Sequence, residues 1–70
     1  MDINAAITQL IKLMEDGLKP DPVRAAAAEG LGYAGGPAAR AALSRLMDDG
    51  LKPVTVRVAA AKALGRATKE

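Results

Sequence analysis

The sequence predicts an all-α protein, a solenoid fragment built from two helical hairpins. Three observations carry that prediction. The first is composition. Half of the 70 residues are apolar, but much of that half is alanine, and Tyr33 is the only aromatic. Alanine, leucine and methionine favour helix, whereas the β-branched and aromatic residues that favour strands are scarce. The second is a repeat. LMEDGLKP at 13–20 returns as LMDDGLKP at 46–53, identical at seven of eight positions. Sliding the chain by 33 residues also superimposes Val23-Arg24 on Val56-Arg57, Ala26-Ala27-Ala28 on Ala59-Ala60-Ala61 and Leu31-Gly32 on Leu64-Gly65. A period between 20 and 50 residues is the mark of a repeat architecture. The third is local pattern: apolar residues recur at helical spacing between glycines and prolines that punctuate the chain.

The elements follow in order. A first helix is predicted from Asn4, a good N-cap, to Asp16, with Ile7, Leu10, Leu13 and Met14 as its stripe and Gly17 as the residue that ends it. A second starts at Asp21-Pro22, a cap followed by proline in the first turn, and packs through Val23, Ala27, Leu31 and Ala34. Gly35-Gly36-Pro37 breaks it and opens a third, with Ala39, Leu43, Leu46 and Met47 inward and Gly50 at its end. A fourth is expected to begin near Thr55 as cap, with Val56, Ala60, Ala63, Leu64 and Ala67 inward. The chain is one small domain, with one repeat over about 4–35 and another over about 36–69.

Composition also excludes function classes. The sequence has no cysteine and no histidine, so it offers no disulfide framework, no thiolate metal site and none of the usual base–nucleophile pairs. It contains no phosphate-binding glycine loop, and Ser44 has no catalytic partner in view. No cofactor and no metal are expected, and the chain is read as a non-enzyme. No apolar run is long enough to span a membrane, and the acidic start MDINAAITQL lacks a signal peptide's basic region, which sets the expected location as cytoplasmic. Residues 1–35 carry three basic against five acidic side chains, net −2, while 36–70 carry seven against three, net +4. Halves of opposite sign can draw a second copy in head to tail.

At PVRAAAAEGLG (22–32) and TVRVAAAKALG (55–65) the chain resembles the HEAT-repeat class, in particular the short HEAT-like repeats of the phycobilisome-lyase type. The resemblance covers nearly the whole chain and implies a protein-interaction scaffold. It also implies that the acid at each turn meets the arginine of Val-Arg, so that Asp16 and Asp49 would form a ladder with Arg24 and Arg57. Two departures stand out. The turn GLKPDP (17–22) is about two residues longer than the family's usual one, and Gly36 and Arg40 stand where an aspartate cap and an apolar residue are common. The third helix is therefore expected to pack least firmly.

The candidate sites follow. Glu15-Asp16 and Asp48-Asp49 suggest a metal at first sight, but neighbours on a helix diverge rather than converge. Positions where the two repeats disagree, Ala25/Val58, Glu29/Lys62 and Tyr33/Arg66, are spaced by four and share one helix face. In HEAT-like stacks the second helices line the concave side, so Tyr33, Val58, Lys62 and Arg66, with Ala25 and Glu29 at the edge, form the expected partner surface. An ordinary solvated face would look the same, and Tyr33 suits either a binding hot spot or a cover over the joint between repeats. Lys62, Arg66 and Lys69 make a basic stripe that phosphates could use, although positive charges are few and no aromatic platform accompanies them.

The ends complete the picture. Ile3, Ile7 and Ile11 widen the first helix's stripe beyond what one neighbour covers, and Val54 and Val58 lie outside the fourth helix's packed stripe. Another copy of the chain, giving a homo-oligomer, or a protein partner is expected to cover them; the alternative is that the chain is a piece of a longer array. The expected function is a non-enzymatic scaffold for protein–protein interaction or self-assembly. The alternatives are nucleic-acid binding through the basic second repeat and, on resemblance alone, an accessory role in bilin attachment.

Overall fold

The computed structural model describes residues 2–68. It contains α1 (Ile3–Glu15), α2 (Asp21–Ala34), α3 (Gly36–Asp48) and α4 (Val54–Ala67). α1 packs on α2 and α3 on α4, and the two hairpins join mainly through α2 against α4. The core is mostly alanine, with Met14, Leu31, Leu43 and Val56 as its largest fully buried side chains. Small side chains let the two second helices approach closely. A Cβ built on Gly32 would lie 2.9 Å from the Cβ of Ala63 and 3.0 Å from that residue's Cα and O.

Four helices in the predicted order are present, but their ends obey different groups from those expected. α1 begins one residue early because Asp2, not Asn4, is the cap: its Oδ1 accepts the Ala5 N–H at 2.7 Å. Asn4 lies inside the helix, where its carbonyl accepts from the Thr8 hydroxyl. α2 and α4 are both capped by prolines, Pro20 and Pro53, rather than by Asp21 and Thr55. The proline ring sets φ near −60° in both, and the carbonyl accepts the first intrahelical hydrogen bonds. Gly17 and Gly50 are not left-handed helix stops; among the described residues, positive φ occurs only at Gly35 and Gly36. Gly35 ends α2 and starts α3 at once, a one-residue joint that needs φ +66°.

Two packing expectations are also corrected. Val23, expected in the α2 stripe, is 41 % exposed, and the buried face of α2 instead takes Arg24, Ala27, Ala28, Leu31 and Gly32. The third helix is not the loosest: α3 buries Ala39, Ala42, Leu43 and Leu46, whereas α1 fully buries only Met14. Arg40 does not weaken it, because its Nη1 reaches the Ala67 carbonyl at the end of α4, 3.4 Å away.

Candidate interaction surface

The repeated turn organises the charged groups first. Asp16 and Asp49 are the C-caps of α1 and α3, in extended backbone. The carboxylate of Asp16 accepts the Leu18 N–H and that of Asp49 the Leu51 N–H, each at 2.9 Å. Each acid thus closes its own turn, as aspartate does in an Asx turn. The expected ladder does not form among the described residues. Arg24 donates through Nε to the Met14 carbonyl at 2.9 Å, and Arg57 does the same to Met47 at 3.1 Å. A guanidinium at a helix C-terminus supplies a donor to an orphan carbonyl and a positive charge to the negative end of the dipole. The arginine therefore holds the helix end directly and does not need the aspartate. Arg24 is 3 % exposed, and its Nη2 is buried without a hydrogen-bond partner among the described residues.

The remaining acids among the described residues join no cluster. Glu15 Oε2 lies 3.7 Å from Arg45 Nη2, an exposed ion pair between the two repeats. Among the described residues no group of three or more potential metal ligands comes together. The cleft between Glu15, Arg45, Leu46, Asp49 and Lys52 mixes both signs of charge.

The face predicted from repeat differences divides in two. Glu29, Tyr33, Lys62 and Arg66 form an exposed row on α2 and α4. Tyr33 is 75 % exposed, and the Arg66 guanidinium sits 4.6 Å above its ring centroid, so the aromatic bridges the two repeats by a cation–π contact. Ala25 and Val58 do not belong to that row. Ala25 is half-buried and packs against the core. Val58, 47 % exposed, lines a groove with Met47, Val54, Arg57 and Ala61 at the open flank of α4. Lys69, the third residue of the basic stripe, lies outside the described residues. At the other end Ile3 is 64 % exposed, but Ile7 and Ile11 are half-buried against the core, so the apolar end of α1 is smaller than expected.

Two helical hairpins thus stack through their second helices, with a 33-residue repeat in sequence. A family model described as HEAT repeats matches residues 5–70. The chain belongs to the HEAT-repeat family. No curated protein and no solved structure matches it. Members of the HEAT-repeat family are generally helical scaffolds for protein interaction, and no helix among the described residues is long and apolar enough to cross a membrane.

Around the open flank of α4, Ala61 and Gly65 are exposed and Met47 and Arg57 half-buried, which the sequence did not indicate. Their first-repeat counterparts Met14, Arg24, Ala28 and Gly32 are all buried. The 33-residue correspondence was visible in the sequence. What it could not supply is which flank of each helix the neighbouring repeat covers.

Proposed function

We propose that these HEAT repeats act as a non-enzymatic scaffold that holds a protein partner on the row Glu29, Tyr33, Lys62 and Arg66. One observation carries this reading: the chain's lone aromatic stands exposed and is oriented by Arg66 from the other repeat. A ring held in place loses little freedom on binding, and aromatic and arginine side chains dominate interface energetics. Acid, aromatic and base within one row can recognise a segment that carries both charge and apolar surface.

The test is capture from an extract of the expressing cell on immobilised protein. Wild type should retain proteins that the triple variant Tyr33→Ala/Lys62→Glu/Arg66→Glu loses, while Gln9→Arg on the exposed side of α1 retains them. Equal retention by all three proteins would overturn the reading. Salt-sensitive binding of DNA or RNA, abolished in the triple variant, would replace it with a nucleic-acid function through the basic second repeat. An absorbance change on adding bilin would favour the role in chromophore attachment that the lyase-type resemblance implies.

A further inference from the structure

The two ends of the molecule are the two halves of a joint that the chain already makes once. Between the repeats α2 packs on α4, and Gly32 meets Ala63 at van der Waals limit; Ala25 and Ala28, at helical spacing on the same face of α2, are half-buried and buried. Thirty-three residues later the same positions are Val58, Ala61 and Gly65, all exposed. Gly65 has nothing within 4 Å of where its Cβ would stand. On α4 the joint is met by Ala63, and Val56 and Ala59 share its face at helical spacing; all three are buried. Their first-repeat counterparts on α2 are Val23 and Ala26, both exposed, and Gly30, half-buried beside Leu10 of α1. Sequence is nearly the same at mated positions, and in each pair the residue at the internal joint is the more buried. The difference is whether a neighbouring repeat is present.

We propose that copies of this chain stack head to tail, the open flank of α4 in one copy receiving the outer edge of α2 in the next. The contact would repeat the α2–α4 joint, with Val23 of one copy in the place that Val56 takes within the chain. This names the partner for one part of the scaffold reading, on which it rests, and its contact residues lie outside the Tyr33 row.

Charge supports the same arrangement. The ion pair Glu15–Arg45 crosses the internal joint, and the mates of these residues are Asp48 and Lys12, again acid on one side and base on the other. Head-to-tail stacking places Asp48 of one copy toward Lys12 of the next. It likewise continues the alternation Glu29, Lys62 and Tyr33, Arg66 along the row. Joining two α4 flanks to each other would instead face Lys62 and Arg66 with their own kind, which like-charge repulsion opposes. The acidic first half and the basic second half of the chain are the same statement at longer range.

The experiment uses two blocked variants and their mixture. Ala26→Arg closes the outer edge of α2 and Ala61→Arg closes the flank of α4; both alanines are exposed helix positions, and circular dichroism checks that each variant folds. In sedimentation equilibrium, wild type should gain mass with concentration into the millimolar range. Each variant alone should remain a single chain, because every joint needs one edge and one flank. Their equimolar mixture should form a two-chain complex and nothing larger. Wild type that stays a single chain throughout would overturn the proposal, as it would if an unlike protein is the true occupant of the flank. Association of either variant by itself, or a mixture that behaves as its separate components, would also overturn it. Capture by the Tyr33 row is read on different variants, so the failure of one idea is distinguishable from the failure of the other.

Discussion

At the scale of single residues, identical letters do different physical work because only one of each pair is covered. Gly32 and Gly65 are mates, and both lie inside helices, where glycine costs about 1 kcal/mol relative to alanine. A methyl group at 65 meets nothing within 4 Å, so Gly65→Ala should stabilise the single chain by about 1 kcal/mol in urea unfolding. A methyl group at 32 meets backbone atoms of Ala63, which yield only if the helices separate. Overpacking of this kind costs about 1–3 kcal/mol, so Gly32→Ala should lower stability despite its helix gain. Equal effects at the two sites would contradict the packing described. Arg24 and Arg57 make the same comparison with polar groups. Both donate to a helix-terminal carbonyl, but Arg24 is buried and Arg57 only partly so. Leaving a buried carbonyl without a donor costs about 1–3 kcal/mol, while water can replace the donor at the open flank. Arg24→Ala should therefore cost clearly more than Arg57→Ala, and the two midpoints in thermal unfolding decide it.

At the scale of elements, the turn that ends each first helix rests on one acid of the pair. Asp16 closes it by accepting the Leu18 N–H, whereas Glu15 makes an exposed ion pair 3.7 Å long. An exposed pair contributes about 0–1 kcal/mol, and a side-chain-to-backbone bond that fixes a turn contributes about 0.5–1.5 kcal/mol. Asp16→Ala should therefore destabilise measurably in denaturant titration, and Glu15→Ala by much less. The reverse order would return the adjacent acids to the cross-repeat role. These elements were legible in the sequence to the extent that local rules decide them. The glycine and proline breaks and the 3.6-residue period located all four helices, since Leu10, Leu43 and Ala60 sit on faces that one hairpin partner must cover. Caps were less legible. Asn4 and Thr55 have suitable side chains, but Asp2 lies at the right distance from Ala5, and Pro20 and Pro53 already hold the required φ. Burial set by the neighbouring repeat was not legible at all: Val23 and Val56 share type and local context and differ in exposure by 41 % against 0 %. The partner surface was half legible for the same reason. Repeat differences picked out Tyr33, Lys62 and Arg66, but also Val58, whose place is in the stacking flank.

At the scale of the molecule, two repeats share one joint, and each carries an open side. In a repeat protein, stability is close to a sum of the repeats' own contributions and those of the interfaces between neighbours. A chain of this length is also marginal because it buries a small fraction of its surface. If the open flank of α4 and the outer edge of α2 match as the internal joint does, lengthening the array should stabilise every repeat in it. The duplicate can be built within the period of the sequence: Thr68→Gly, Lys69→Gly and Glu70→Pro recreate the Gly35-Gly36-Pro37 joint after Ala67, and the chain then continues from Ala5 as a second copy. Such a four-repeat chain has three joints in place of one, so the share of interface per repeat rises. Its urea midpoint should exceed that of the single chain. Its denaturant slope should approach twice the single-chain value if all repeats unfold together, since the slope scales with the surface exposed on unfolding. Two halves that melt independently at the single-chain midpoint, with an unchanged slope, would mean that the new joint does not form. The likeness of the two ends would then be only a trace of how the repeat was copied.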